Sequence, residues 1–434
     1  MSTGVTSFKM SSLSAAISEF GLSYIRVQDE NKNIIYSPIN VLQAMAALLK
    51  GARGETAAQM EKVLHFNEVQ SARTGDSSAT EPKHDAFWLI DAGSQCDEPG
   101  GFHSQFHTLL SQLSQLMKDY DLSIVNRLYG AIGFDYSPHY LRCIKELYNS
   151  ELERVDFGME MEKTRLQIND WVETHGKIKE FFSPGNLEPD SALVLVNATY
   201  FKGKWKFGFE EKNTIEAPFW VNKNESKNVP MMVQTGMFNY VSTDHPPLQV
   251  LELPYEKLEL PYEKDDLSMF ILLPGDTGDG HFSVVKLASS LTCKQLTELC
   301  SPSNMPLQKV TVHLPRFKLE EESDLKESLR KMEMTLPFDR DKADFSGISQ
   351  KHLFVSQAIH KSFVEFNESG TEGGAVSGAV ELAVLHFDEA QSATTGDSSA
   401  TEHVCWLVMV SVNGTRNEGV DNEICRVTLF HLRK

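Results

Sequence analysis

Apolar residues near the start of the chain recur at three- and four-residue steps. Leu13, Ile17, Phe20 and Tyr24 share one face, which predicts an amphipathic helix. Ile34, Ile35 and Tyr36 predict a short strand. Ser37 ends it, and Pro38 opens a helix that stays apolar to Leu49. Gly51 and Gly54 break that helix, and Thr56 starts another. Phe106, Leu109, Leu110 and Leu113 mark a further helix, and residues 124–130 (IVNRLYG) a strand. Ile168, Trp171 and Ile178 line one face of another amphipathic helix. Residues 191–205 (SALVLVNATYFKGKW) are apolar almost throughout, as expected of a central strand buried on both faces. Residues 266–274 (DLSMFILLP), 310–320 (VTVHLPRFKLE) and 355–366 (VSQAIHKSFVEF) read as strands, and 322–334 (ESDLKESLRKMEM) as a helix.

After Phe366 the composition collapses to Gly, Ala, Ser, Thr and Val, but a period of two survives. Thr371, Gly373, Ala375 and Ser377 would point to one face of an extended strand, and Glu372, Gly374, Val376 and Gly378 to the other. A linker would show no such order. The stretch reads either as an ordinary surface loop or as a loop able to become a strand.

Two repeats disturb the pattern. LELPYEK occurs in tandem at 251–257 and 258–264, and one copy is expected to bulge out as a loop. Residues 384–402 repeat residues 63–81 at all but three positions. Residues 67–101 have no clear period and read as a solvated loop.

Charge and composition narrow the classes. A net charge of -19 argues against nucleic acid or an anionic membrane as the primary partner. No run of about eighteen apolar residues predicts a membrane helix, and the polar start lacks a secretory core. The six cysteines are dispersed without metal-ligand spacing, which fits a reducing cytosol. No nucleophile elbow or catalytic triad motif is present, so no enzyme is expected. No cofactor is expected either, and a soluble monomer is.

The run FNESGTEGGAVSG (366–378) resembles the reactive-loop hinge of the serpins. VNATYFKGKW (196–205), LELPYE, DLSMFILLP, VHLPRFKLE (312–320) and ADFSGIS (343–349) follow the family's order, so the resemblance covers about residues 11–384. The start near the first helix and the dispersed cysteines are similar to the ovalbumin-like, clade B branch.

The resemblance implies an α+β fold of three β-sheets with about nine helices and an exposed reactive-centre loop. It implies inhibition of serine, or cysteine, endopeptidases by suicide trapping: the loop is cleaved, an acyl-enzyme forms, and the loop inserts as a strand. Residues 367–384 would be hinge and loop. Glu368, Gly370, Thr371, Glu372, Gly373, Gly374 and Ala375 form the hinge, and Val384-Leu385 is the scissile bond, suited to a compact, elastase-like pocket. Ser37, Asn40, Asn197 and His360 would form the shutter beneath the opening sheet, and Trp205 the breach at its top. Ser37 reads equally as a helix N-cap, and Asn40 stands where the family usually has serine. The location expected is cytoplasmic, with leaderless release to the extracellular space as an alternative.

Residues 385–434 depart from the family. Two apolar runs, 405–412 (CWLVMVSV) and 424–430 (ICRVTLF), flank a polar turn. They read as a substitute for the family's closing hairpin or, the favoured reading, as unrelated sequence. The alternatives to inhibition are a serpin-fold protein cleaved as a plain substrate, and a chain without function.

Overall fold

The computed structural model describes residues 12–29, 34–71, 95–97, 101–119, 121–222, 225–256, 267–274, 284–301, 303–372, 386–389, 406–412 and 428–432. Its first helix, α1 (Ser12–Arg26), buries Leu13, Ile17, Phe20 and Tyr24, the face set by their spacing. After β1 (Ile34–Tyr36), Ser37 caps α2 (Pro38–Leu49) and Pro38 supplies the fixed φ of its first turn. Every residue of α2 is buried, so it is a core helix rather than an amphipathic one. Next come α3 (Gly54–Val63), α4 (Phe66–Ser71), α5 (Phe102–Asp119), β2 (Asp121–Ala131), α6 (Pro138–Tyr148), β3 (Glu151–Val155), α7 (Met161–Gly176) and β4 (Leu193–Lys204).

The second half is mostly strand: β5 (Ile215–Asn222), β6 (Glu225–Asp244), β7 (Pro247–Pro254) and β8 (Leu267–Pro274). Two short helices, α8 (Val284–Ser290) and α9 (Cys293–Leu299), precede β9 (Leu307–Pro315), β10 (Phe317–Asp324) and α10 (Leu325–Lys331). Then follow β11 (Val355–Asn367), β12 (Gly370–Glu372), β13 (His386–Glu389), β14 (Trp406–Val412) and β15 (Thr428–Leu432).

The main sheet has the order β10-β11-β12-β4-β2-β3. The remaining strands are joined through β6, which is twenty residues long and serves two leaves. Residues 231–239 of β6 pair with β9, which in turn carries β13, while 240–244 pair with β7. The three leaves agree with the three-sheet expectation. β14 and β15 pair with each other and fill the place between β8 and β1. The described backbone there pairs as the hairpin alternative would have it.

β4 is the centre of the main sheet. Leu193 and Leu195 join the large core on one side, against α2 and α5, while Val194, Val196 and Ala198 join a second core under α7. That explains its continuous apolar run. Ile168 and Val172 of α7 are fully buried against that face, and Trp171 packs at its edge. Any strand entering the sheet beside β4 therefore passes beneath α7.

The dispersed cysteines gave no hint of a pairing, but Cys96 and Cys143 form a disulfide with Cα atoms 5.2 Å apart. It ties the approach to α5 onto α6. Asp97 then caps α5, accepting from Ser104 N at 2.7 Å. The first LELPYEK copy closes β7. The second, 258–264, lies outside the described residues, as do most of the 67–101 loop and most of the 384–402 repeat.

Candidate functional site

The upper end of the main sheet holds the chain's most distinctive geometry. β11 and β4 run parallel and pair directly from Val355↔Leu193 to Phe363↔Tyr200. Above that level they part, and β12 sits between them, antiparallel to both. Asn367 makes the turn: its side-chain oxygen accepts from Ser369 N (3.0 Å) and Gly370 N (3.1 Å). Gly370 pairs with Lys204 and Thr371 with Gly203. A Cβ on Gly370 would stand 2.0 Å from the Gly203 carbonyl oxygen, so only glycine allows this approach.

Thr371 is 1% exposed, and its hydroxyl lies 2.8 Å from the Tyr255 phenol oxygen. Trp205 stacks on Tyr255 with ring centroids 4.9 Å apart, and its indole N–H donates to Asn367 O at 3.0 Å. Glu368 is nearly buried. Its Oε1 accepts from the Thr214 hydroxyl at 2.7 Å and from the Arg316 guanidinium at 3.3 Å. Burial pushes the Tyr255 phenol well above its usual range, so it stays neutral beside Thr371.

Lower down, behind the β4–β11 seam, a buried polar network crosses the sheet. His360 Nε2 accepts from Ser37 N at 3.2 Å and from the Ser362 hydroxyl at 2.7 Å. The imidazole proton is therefore on Nδ1, where it donates to Asn197 Oδ1 across the seam. Asn197 Nδ2 donates to Asn40 O at 2.9 Å and to Asn126 Oδ1. Asn126 Nδ2 donates to Asn40 Oδ1 at 2.6 Å, and Asn40 Nδ2 to Ala198 O (2.9 Å) and Thr199 Oγ1 (2.6 Å). Burial pulls the His360 pKa down to about 3, opposed by the bond to Asn197.

Ser37, Asn40, Asn197 and His360 thus meet at one point, and Ser37 also caps α2, accepting from Asn40 N. Glu368, Gly370, Thr371 and Trp205 meet at another, just past the end of β4 and 8 residues along the chain from Asn197. Gly373, Gly374, Ala375, Val384 and Leu385 lie outside the described residues, and of Glu372 only the backbone pairing is described. The sequence reading missed Asn126, Thr199, Ser362, Tyr255, Thr214 and Arg316. Asn126 left a trace as half of the polar pair Asn126-Arg127 that interrupts the run IVNRLYG; the others left none.

Known proteins of one family resemble the chain over most of its length. The family profile described as serpin (serine protease inhibitor) matches residues 15–401. The chain is a serpin. Human serpin B4 is 39% identical over 413 residues, 94% of this chain and 97% of that protein. Bovine leukocyte elastase inhibitor is 39% identical over 387 residues, 88% of this chain and 92% of that one. Among solved structures, uncleaved ovalbumin has a TM-score of 0.71 at 29% identity, covering 97% of this chain and 98% of its own. The clade B, ovalbumin-like assignment follows from these relatives, and so does the function: a serine protease inhibitor and not an enzyme. Among the described residues, no helix is long and apolar enough to cross a membrane.

Proposed function

We propose that the chain traps its protease by completing the strand that β12 begins, with Val384-Leu385 as the scissile bond. The observation that carries this reading is the register of β12. Thr371 opposes Gly203, and each further residue of an antiparallel strand would descend one position on β4. Gly373 would come opposite Phe201, Ala375 opposite Thr199, Ser377 opposite Asn197 and Ala379 opposite Leu195. All four face the core side and all are small, so the strand enters without a steric conflict. Ser377 would bring a hydroxyl to the polar network just where the His360–Asn197 bond has been parted.

Trapping is driven by the sheet gaining a strand. The direct β11–β4 ladder is exchanged for two antiparallel ladders, and the loop's backbone groups leave water for paired positions. The acyl-enzyme bond is made by the protease's own nucleophile, so the inhibitor contributes geometry and stored free energy rather than a catalytic group. A small aliphatic residue at 384 suits a serine protease with a compact apolar pocket, and the named activity of the bovine relative toward elastase supports that choice. The working form is a monomer, with no nucleic acid or membrane involved.

The test is an SDS gel of the full chain mixed with elastase-like, trypsin-like and papain-like proteases. A heat-stable band at the summed mass with the elastase-like enzyme, and cleavage after Val384, is the expected result. Quantitative cleavage without that band would replace trapping with the plain-substrate reading. A band with the papain-like enzyme alone would move the target to cysteine proteases.

A further inference from the structure

The leaf of β5, β6 and β9 carries β13 at its outer end. β13 pairs antiparallel with β9 from His386↔His313 to Glu389↔Val310, and among the described strands it has no neighbour on its far side. On β9, Val310, Val312 and Leu314 are buried in the core beneath the leaf, so Thr311 and His313 lie on its outer face, with His313 half-buried. Residues paired directly across two strands share a face. The register therefore sets His386 beside His313 on the outer face, and Asp388 beside Thr311. Thr311 is itself tied to β6, its hydroxyl 2.9 Å from that of Thr235. Among the described side chains no three His, Cys, Asp or Glu gather closely enough to hold a metal ion. The pairing of β13 with β9 sets two histidines and an aspartate at neighbouring positions.

Directly opposed residues have Cβ atoms about 4.5–5.5 Å apart, and diagonal neighbours about 7–8 Å. Two imidazole nitrogens on one tetrahedral ion, each about 2.0–2.1 Å from it, stand about 3.3 Å apart, a span that an opposed histidine pair meets without moving the backbone. A carboxylate at the diagonal position adds a third ligand of the right kind. From this placement we propose that His313, His386 and Asp388 form a site for a divalent transition-metal ion of the zinc or nickel type, its fourth position open to water at the strand edge. Lys309, the next residue on that face of β9, lies beyond Thr311 and away from the histidine pair. The internal repeat sets its two copies apart at this point. Residues 384–389 (VLHFDE) duplicate 63–68 (VLHFNE), except that Asp388 replaces Asn67. In the first copy His65 stands at a helix junction with φ 59, where no strand opposes it with another histidine. The carboxylate occurs only in the copy whose histidine is so opposed.

The site bears on the trap through one clause that rests on the reading of Val384-Leu385 as the scissile bond: His386 is the second residue beyond it. A protease draws the chain on both sides of the cut into its cleft in extended form, so β13 must loosen from β9 at His386. A metal ion bridging the two strands opposes that step, and bound zinc should slow cleavage and trapping together. The test begins with zinc alone and no protease. Zinc is titrated into the full-length chain against a chromophoric chelator, and hydrogen exchange is followed at residues 310–313 and 386–389. One zinc ion per chain should bind at this site, with protection gained in those two stretches. His313→Asn and His386→Asn should each weaken that binding at least about tenfold, and the two together little more than either alone, because both act on one ion. Asp388→Asn, which restores the residue of the first copy, should weaken it less.

Wild-type affinity in both single variants would mean adventitious binding at others of the 14 histidines, and overturns the proposal. Protection gained only outside β9 and β13 overturns it as well. His386 is on the edge strand, so His386→Asn reports even if His313→Asn does not fold. The second arm measures cleavage by an elastase-like protease with and without zinc, at levels that leave its action on a small peptide unchanged. With zinc at ten times its Kd, the rate on wild type should fall about tenfold, and that on His386→Asn should not change. An unchanged wild-type rate overturns the link to the trap. A cut mapped elsewhere than after Val384 removes the scissile-bond reading and leaves the zinc titration as it stands, so the two failures are told apart.

Discussion

Acidification should weaken the seam through His360. The side chain is neutral and fully buried, with Nε2 already occupied by two donors; a second proton would face Ser37 N–H. Its folded pKa, about 3, lies below the unfolded value of about 6.5. The unfolded chain therefore binds the proton first, and stability falls as the pH drops from about 6.5 toward 3. Between about pH 7 and pH 5 the loss from this one group is about 2 kcal/mol. The assay is urea unfolding of wild type and His360→Gln at matched ionic strength across that interval. His103 is also held low, at about 4, by burial first and by Lys50 second, so it titrates in the same direction over the same range. That contribution is common to both proteins and cancels in the difference. Wild type should lose about 2 kcal/mol more than the variant over those two pH units. Equal losses would refute the assignment of His360 as the neutral keystone of the network.

Three further outcomes are expected. Thr371→Arg places a charge where the native side chain is 1% exposed and bonded to Tyr255, so insertion should stall. On the SDS gel the trapped fraction should fall at least about tenfold while cleavage continues. Continuing the β12 register brings Glu381 opposite Leu193, a fully buried core residue, so Glu381→Ala should raise the trapped fraction and the thermal stability of the cleaved form. Cys143→Ser opens a covalent ring spanning 47 residues, and unfolding under non-reducing conditions should require about 4 kcal/mol less. The same loss should appear in wild type treated with dithiothreitol, with no additional loss in the variant.

Elements whose burial is uniform were readable from the sequence. The unbroken apolar run of β4 and the four-residue steps of α1 follow directly from what their faces touch. Of the alternation of small residues after Glu368, Gly370–Glu372 form strand β12, and Gly373 onward lies outside the described residues. Long-range chemistry was not legible. Tyr255 belongs to a peptide that says nothing about Thr371, 116 positions away, and Arg316 gives no sign of Glu368. Local context also overrode local sequence. Val63-Leu64-His65-Phe66 ends one helix and starts the next, with His65 at φ 59, whereas the same dipeptide at His386-Phe387 is strand β13 on β9. Identical residues were sorted by the partner available to each backbone. The Cys96–Cys143 pair was hidden similarly, since nothing in a separation of 47 marks two cysteines as neighbours.

The tandem heptapeptide has a consequence for the identity of the strand itself. Leu251–Pro254 ends β7, and Tyr255 of the same copy lies between Trp205 and Thr371. Residues 258–264 spell the same seven side chains, with Tyr262 in the place of Tyr255. Sliding the chain by one whole copy would leave the contacts of that heptapeptide unchanged, moving seven residues out of the connection to β8 and into the one before β7. Loop closure depends only logarithmically on length, so the two threadings differ by roughly 1 kcal/mol or less from that source. Only the half of β7 inside the heptapeptide is degenerate between the two threadings, and the choice falls to Pro247–Val250, where sliding would put Lys257 in the place of the fully buried Val250. The position between Trp205 and Thr371 would receive a tyrosine either way, but from two different places in the chain.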